Sequence, residues 1–260
     1  MAKGWRIATL EEASMVAKGI KSLTFSLPDW EPSVPGQHYD IRLTAEDGYQ
    51  AERSYSVASA PERKGVVEFG IELLENGEVS PYLFSLKPGD QVEMRGPIGG
   101  SFIWNTDMPG PLCLVGGGSG MVPLMAMLRH RQEHLADEIK KGRHAVFLAS
   151  VKDQDHLLYY DELRAISAAD PNFTLVITFT QSAPPNWDGF RRRIDHAMLQ
   201  NVFGGIAGDM PMVYVCGPTP FAENAASNLV EVGFNPHAIR IERFGGGGTV
   251  VGPEIKEERS

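Results

Sequence analysis

Hydrophobic positions in the first hundred residues occur in short runs, several of which alternate with polar residues. Such runs lie at residues 23–27, 38–43, 55–58, 66–74 and 91–95. Turn-forming residues separate the runs, as at Pro35 and Gly36. Short strands at this spacing predict an antiparallel β-barrel or sandwich. One helical interruption is predicted over residues 80–85, where Pro81 suits the first helical turn.

The pattern lengthens after residue 111, where buried runs alternate with segments of helical period. Strands are predicted at residues 112–115, 145–150, 173–180 and 212–216, and helices at residues 121–134, 157–165, 194–202 and 221–232. This alternation predicts a parallel sheet with crossover helices. A turn-rich segment at residues 104–110 marks the boundary between the two patterns.

The fold class that follows is β plus α/β. We expect an N-terminal antiparallel β-barrel domain over residues 1–107 and a parallel-sheet α/β domain over residues 108–245. Residues 246–260 continue a glycine-rich stretch, and we expect them to form a flexible tail. A chain of 260 residues is long enough for two domains of this size, each with a core of its own.

The strongest local signal is a glycine-rich turn, GGGSG at residues 116–120, which joins a predicted strand to a predicted helix. Glycines let the backbone approach a ligand closely, and the N-terminus of a helix offers free N–H groups to a pyrophosphate. The alternative is a turn that only packs the strand on the helix. Met121 stands where the third glycine of the usual dinucleotide fingerprint belongs, so a nucleotide would be held in a different way.

A second glycine turn, Cys216-Gly217-Pro218, follows the fourth predicted strand of the α/β half. It lies at the same edge of the sheet as the first turn, and open α/β sheets bind ligands at that edge. The alternative is a structural turn with an inert buried cysteine. Two such turns at one edge favour a ligand cleft more than either turn does alone.

In the barrel half, Arg53, Ser54, Tyr55 and Ser56 form a strand that combines a cation, two hydroxyls and an aromatic ring. The guanidinium suits a phosphate, and the ring offers a flat surface to another ring system. The alternative is an exposed strand face with a cross-strand tyrosine. Residues 77–80 lead into the short helix and offer a second position for a phosphate.

Composition narrows the possible functions. The chain has 24 basic and 33 acidic residues, a net charge of −9, which argues against a nucleic-acid-binding protein. We find no apolar run near the ~20 residues that cross a bilayer and no secretory signal, so we expect a cytoplasmic protein without a membrane span. Cys113 and Cys216 are too few for a disulfide framework or an iron–sulfur cluster. The seven histidines show no paired metal spacing, so no metal site is expected and chemistry would come from an organic cofactor.

Eight segments then occur in a fixed order. They are PGQHY at 35–39, RSYS at 53–56, GEVSPYLF at 77–84, GPIGG at 96–100, GGGSGMVPLMAML at 116–128, LLYYDEL at 157–163, CGPTPF at 216–221 and ERFG at 242–245. Together they resemble the ferredoxin–NADP reductase superfamily, in its FAD- and NAD(P)H-dependent oxygenase-reductase branch without an iron–sulfur domain. The resemblance implies an FAD-binding β-barrel followed by an α/β domain that binds NADPH or NADH.

The resemblance also implies which residues contact the flavin. It places Arg53 at the FAD pyrophosphate, Tyr55 against the isoalloxazine ring and Ser56 near the reactive nitrogen N5 of that ring. Glu242 and Phe244 match the family's C-terminal acid and aromatic, near the flavin face. The further residues it places in contact with FAD are Ser54, Val57, Ile71, Gly77, Val79 and Ser80.

For the nicotinamide nucleotide, the resemblance implies contacts on both glycine turns. The residues it places there are Gly118, Ser119, Gly120, Lys152, Arg193, Cys216, Gly217 and Pro218. Ser56 and Cys216 are implied to be catalytic, because they would set the geometry of the two rings. The chain departs from the family pattern at Glu72, where relatives often carry a basic residue.

The function implied is a flavin-dependent oxidoreductase that transfers a hydride from NAD(P)H to FAD. The electrons would then pass to a separate acceptor protein, a ferredoxin or an oxygenase component, with a free flavin or a small quinone as the alternative acceptor. We expect the chain to be a monomer. One alternative is a non-catalytic protein that binds flavin and nucleotide and serves electron transfer or sensing. Another is an interaction protein in which both glycine loops are only turns.

Overall fold

A computed structural model describes residues 4–244 of the chain. The tail predicted over residues 246–260 lies outside the described residues. Six strands of the N-terminal half form an antiparallel sheet, in the spatial order β4-β3-β6-β1-β2-β5. Their bounds are β1 Arg6–Ala17, β2 Ile20–Ser26, β3 His38–Thr44, β4 Gln50–Ser56, β5 Val66–Glu72 and β6 Gln91–Ile98.

The sheet closes on itself beyond the end of β4. Val57 forms a bridge with Phe69 of β5, and the Ala58 N–H donates to the Glu68 carbonyl. The inward side chains, among them Leu23, Phe25 and Ile41, make one apolar core. The short helix α1, Ser80–Ser85, contributes Leu83 to that core and has proline in its first turn. The predicted antiparallel barrel is therefore confirmed.

The C-terminal half is a parallel five-stranded sheet in the order β11-β10-β7-β8-β9. Its strands are β7 Leu112–Gly117, β8 Ala145–Val151, β9 Phe173–Phe179, β10 Met212–Pro218 and β11 Ile239–Phe244. Its helices are α2 Met121–Glu133, α3 Leu135–Lys140, α4 Tyr160–Ala169, α5 His196–Phe203 and α6 Thr219–Val232. Every residue of β7 and β8 is buried, as expected for parallel strands that are covered on both faces.

Successive residues of the central strands face opposite layers of helices. Leu112 and Leu114 of β7 pack in a cluster with residues of α2 and α4, whereas Cys113 and Val115 pack with residues of α5 and α6. The α2 layer also includes Phe102 of the connecting segment, so this face of the sheet lies toward the barrel. Residues 99–111 connect the two sheets, and the boundary we predicted at residue 107 lies within this connection.

Two strands that the sequence pattern did not reveal complete the sheets. β1 places Ala8 and Leu10 in the core, but irregular pairing beside Glu12 and Ala17 breaks its period of two. β11 is a short edge strand in which charged residues follow apolar ones. The helix α3 was also missed, since it is only six residues long. Within residues 4–244 no helix combines the length and apolar character that crossing a membrane requires.

Candidate cofactor site between the domains

The two glycine turns meet where the strand order of the parallel sheet reverses. From β7 the chain proceeds outward through β8 and β9, and it then returns to place β10 on the other side of β7. Gly116 of β7 pairs directly with Cys216 of β10. Ligands of open α/β sheets bind at such a reversal, beyond the carboxyl ends of the strands. The predicted juxtaposition of the two turns is therefore present.

Glycines in the first turn serve two different purposes. Gly118 has φ +55° and faces open space, because a Cβ there would meet nothing within 4 Å. Gly120 is buried, and a Cβ there would lie 2.2 Å from the Cys216 carbonyl oxygen. The absence of a side chain at Gly120 thus allows the start of α2 to pack against the end of β10, while Gly118 leaves backbone accessible to a ligand.

A cleft of about 560 Å³ opens in front of these turns, between the α/β domain and the barrel. Of the predicted nucleotide and flavin contacts, the cleft is lined by Gly118, Ser119, Lys152, Arg193, Pro218 and Phe244. Lys18 also lines it, and Glu72 is the single carboxylate among the lining residues that the structure describes. A surplus of cations in a chain of net charge −9 suits a ligand that carries phosphates.

The barrel reaches into this cleft through Glu72. The Ser119 hydroxyl donates a 2.5 Å hydrogen bond to a Glu72 carboxylate oxygen. Ser119 follows β7 and Glu72 ends β5, so this bond joins the two domains across the cleft. Glu72 therefore lies at the glycine-rich turn that follows β7. A carboxylate there would disfavour a phosphate directly beside it, because the two negative charges repel.

Strand β4 carries the predicted flavin residues, with Arg53 and Tyr55 on one face and Ser54 on the other. Arg53 forms an ion pair with Glu78 at 3.4 Å, next to the turn that begins α1. Burial raises the pKa of Tyr55 to about 12, so its phenol stays protonated at neutral pH. The Ser54 hydroxyl donates to Asp40 at 2.6 Å, which leaves its backbone as the group available to a cofactor.

Several other predicted flavin contacts have little or no exposed side chain. Ile71 and Val57 are fully buried, and Val79 is 1% exposed within the barrel core. The Ser80 hydroxyl accepts a hydrogen bond from the Leu74 N–H inside the turn. The structure therefore leaves the backbone of these residues, with that of Gly77, as the part that could contact a cofactor.

Ser56, Cys216 and Glu242 come together from three different strands. Cys216 and Glu242 are register partners in β10 and β11, and Ser56 ends β4 of the barrel. Burial raises the pKa of Glu242 to about 7. A hydrogen bond from Ser56 acts in the opposite direction and lowers this pKa. Burial, together with the charge of Glu242, also raises the pKa of the Cys216 thiol. Both predicted catalytic residues thus adjoin one buried carboxyl group at the boundary between the domains.

These residues fit a flavin dinucleotide. Arg53 supplies a guanidinium for a pyrophosphate, and Tyr55 supplies an aromatic ring beside it on the same strand face. Among residues 4–244, Glu242 Oε2 is buried and has no hydrogen-bond partner, so a donor on a ligand could satisfy it. The cationic cleft beyond this carboxyl suits the phosphates of a second nucleotide.

Gly120, Cys216 and Gly217 are the predicted nucleotide residues that do not line the cleft. Gly120 packs on Cys216, and a Cβ at Gly217 would lie 2.5 Å from the ring of Phe221. These residues shape the floor beneath the cleft. Phe221 and Asn224 line the cleft from α6 and were missed, because only the turn before this helix was singled out from the sequence.

One pair of histidines was overlooked in the sequence, while the expectation of no metal site stays a prediction. His130 and His134 are four residues apart, a spacing that places both side chains on one face of a helix. In the structure they meet Glu62 of the barrel domain, and their ligand-type atoms all lie within 4.8 Å of one another. The signal was available in the segment HRQEH, but the partner Glu62 is distant in sequence.

Comparison with protein families assigns a description to each domain. Residues 7–103 match an oxidoreductase FAD-binding domain, and residues 114–227 match an oxidoreductase NAD-binding domain. The barrel is thus an FAD-binding domain and the α/β half an NAD-binding domain.

Among characterised proteins, the chain is similar to one of the subunits of Na(+)-translocating NADH-quinone reductases. The Neisseria meningitidis protein is 29% identical over 208 residues, which are 75% of this chain and 49% of the relative. The Pseudomonas aeruginosa protein is 28% identical over 287 aligned positions, which cover 94% of this chain and 68% of the relative. The chain therefore spans about half the length of the Neisseria relative that it matches.

Solved structures share the fold at lower sequence identity. The CS-b5R domains of human Ncb5or superpose with a TM-score of 0.79 and 20% identity, covering 93% of this chain and 70% of that one. A ferredoxin NADP+ reductase from Neisseria gonorrhoeae with bound FAD and NADP gives a TM-score of 0.76 at 20% identity, covering 94% and 99%. Both comparisons support the two-domain architecture.

Proposed function

The chain belongs to the ferredoxin–NADP reductase superfamily, and on that premise we propose that it is an FAD-dependent NAD(P)H oxidoreductase. NADH or NADPH would bind in the cleft of the α/β domain, and FAD along β4 of the barrel. The electrons would leave to a separate redox acceptor. We also propose that the boundary between the FAD-binding domain and the NAD(P)H-binding domain lies between residues 107 and 108.

One observation carries this proposal. Ser56, the last residue of β4, meets Glu242 at the end of the parallel sheet, and Glu242 is the register partner of Cys216. An arrangement that only packed two domains would bury apolar side chains at this point. A hydroxyl, a thiol and a carboxyl group with an unpartnered oxygen are instead collected where the flavin strand faces the nucleotide cleft.

Each side chain then has a defined task. Arg53 would neutralise the flavin pyrophosphate, exchanging its exposed ion pair with Glu78 for a phosphate, and Tyr55 would support the ring. Bound FAD would supply a hydride acceptor that the protein itself lacks. Ser56 would fix the position of the flavin ring edge, because its hydroxyl is held by Glu242. Cys216, protonated and buried, would act by shape rather than as a nucleophile.

The cleft residues would position the nicotinamide nucleotide. Gly118 would let the backbone approach a pyrophosphate, and Pro218 would border the nicotinamide. Lys152 and Arg193 would interact with phosphate at the far side of the cleft, and both are compatible with NADPH as well as NADH. Positioning two rings in contact is the main contribution that the protein makes to such a transfer.

The identity of the acceptor is a proposal of its own. The family resemblance favours a protein as the electron acceptor, either a ferredoxin or an oxygenase component. It also favours a monomeric chain that lies in the cytoplasm. Two buried free cysteines suit a reducing compartment. The relatives named above are subunits of an NADH-quinone reductase, so a larger assembly is the competing possibility.

Replacing Ser56 with alanine tests the proposal. We expect Ser56→Ala to slow single-turnover reduction of the bound flavin by about tenfold, because the loss of one positioning hydrogen bond costs about 1.4 kcal/mol. The measurement is anaerobic stopped-flow mixing with NADH and with NADPH. Ser14→Ala, at an exposed position of β1 that does not line the cleft, is the matched control and should reduce at the normal rate. Unchanged kinetics in Ser56→Ala would remove the proposed role.

A further inference from the structure

A second group of potential ligands lies at the opposite end of α2 from the glycine turn. His130 is in the last turn of α2, and His134 is the C-cap residue of that helix. Glu62 comes from the loop between β4 and β5 of the barrel domain. His130 is nine residues beyond the start of α2, a distance of about 14 Å along the helix axis, so this group is separate from the cleft.

Both imidazoles converge on a single carboxylate oxygen. His130 Nδ1 lies 2.8 Å and His134 Nε2 lies 3.2 Å from Glu62 Oε1. The two rings are 4.8 Å apart between centroids, and Trp104 packs edge-on against His130 at 5.8 Å. Ligand atoms around a tetrahedral zinc ion are separated by about 3.3 Å, given bonds of 2.0–2.2 Å. The two oxygen–nitrogen separations are within about 0.5 Å of this value, and the three ligand atoms all lie within 4.8 Å of one another.

The second oxygen of Glu62 distinguishes this group from an ordinary hydrogen-bonded network. Glu62 Oε2 is buried and has no hydrogen-bond partner within residues 4–244. The neighbouring arginines pair with other carboxylates, as Arg63 does with Glu12 and Glu68, and Arg129 with Glu68 and Glu162. A carboxylate that shares one oxygen between two imidazoles and leaves its buried second oxygen unsatisfied has unused capacity to bind a cation.

We propose that Glu62, His130 and His134 bind one divalent transition-metal ion, with Zn²⁺ as the preferred ion. Two imidazole nitrogens and one carboxylate oxygen form a donor set that zinc accepts, with water in the fourth position. Imidazole ligands favour Zn²⁺, Ni²⁺ and Cu²⁺ over Ca²⁺ or Mg²⁺. The partial negative charge at the C-terminus of α2 also favours a cation there. His134 is 41% exposed, which gives an ion a path from solvent.

The ion would join the two domains. Glu62 belongs to the FAD-binding domain, whereas both histidines belong to the first helix of the NAD-binding domain. A bound ion would replace two hydrogen bonds by three coordinate bonds and hold the 59–65 loop against α2. Its effect would be on the stability of the domain arrangement, because the ligands lie outside the cleft.

Metal binding can be measured without any assay of activity. The flavin-containing protein is washed with a chelator, dialysed against Zn²⁺ and analysed for bound metal, and the dissociation constant is determined by calorimetry. We expect one equivalent of zinc in the wild type and an increase in its thermal midpoint. Glu62→Gln and His134→Ala should weaken binding by at least about tenfold and should abolish that increase.

The matched control is His237→Ala, which removes an exposed histidine in a different part of the α/β domain. It should bind zinc as the wild type does, whereas equal loss in this variant would indicate adventitious surface binding and overturn the proposal. Binding of no zinc by the wild type, or wild-type affinity in both ligand variants, would overturn it as well. Glu62→Gln keeps the shape of the side chain, so its folding can be verified by its metal-free thermal midpoint.

Discussion

Glu242 has the most unusual environment of the residues in the candidate site. Its carboxyl group is buried at the end of β11, and the Ser56 hydroxyl is its hydrogen-bond donor from the barrel domain. Burial raises the pKa of Glu242 to about 7, so the group carries a proton in the folded protein at pH values where it would be ionised in the unfolded chain. It is therefore poised to change charge near neutral pH.

This shift predicts a pH dependence of stability with a definite sign. Between the ordinary value of 4.5 and about 7, the folded state holds a proton that the unfolded state has lost, so stability falls as pH rises. The loss is at most about 3 kcal/mol. Glu242→Gln, which cannot ionise, should remove this part of the slope. Urea unfolding of the wild type and of Glu242→Gln at pH 5 and pH 8 measures how the free energy of unfolding changes with pH. The same change in both proteins would contradict the assignment.

At the scale of elements, α2 connects the two domains through Arg129. This guanidinium donates to the Ala58 carbonyl and to Glu68 in the barrel, and it forms two hydrogen bonds with Glu162 at the start of α4. Its side chain is 18% exposed and that of Glu68 is 8% exposed, so the pair is largely removed from water. Removing Arg129 leaves the Glu68 carboxylate with Arg63, whose side chain is 42% exposed, as its remaining cationic partner.

Arg129→Met should therefore lower the free energy of unfolding by about 1.5–3 kcal/mol, because it removes hydrogen bonds to the charged groups of Glu68 and Glu162. The control is Arg164→Met, an exposed arginine on α4, which should change stability by less than about 0.5 kcal/mol. Urea denaturation followed by tryptophan fluorescence compares the two variants. A loss below about 1 kcal/mol in Arg129→Met would mean that the network does not hold the domains together.

Elements differed in how much of them the sequence revealed. Buried strands such as β7 and β8 were predictable, because parallel strands covered on both faces are continuous apolar runs. β1 was missed, since Ala8 and Ala13 are weak signals and its irregular pairing disrupts the alternation. The glycine turns and the RSYS strand were visible because their residue types are unusual for ordinary turns and strands.

At the scale of the whole molecule, the contacts between domains could not be read from the sequence. Ser119 meets Glu72 from 47 positions away, and Glu62 meets His130 from 68 positions away. Neither pair has a local pattern, because only the packing of one domain on the other brings them together. The family resemblance supplied the order of the domains but gave no signal for Glu62, which lies in none of the segments that carry it.

The central claim is that the two domains place their ligands face to face, because a flavin on β4 can accept a hydride only if it faces a nucleotide in the cleft. Anaerobic titration of the purified protein with NADH, and separately with NADPH, tests this claim most directly. We predict that the protein contains about one FAD per chain and that about one equivalent of at least one of the two nucleotides bleaches the flavin absorbance completely. A colourless protein, or a bound flavin that neither nucleotide bleaches, would contradict the account.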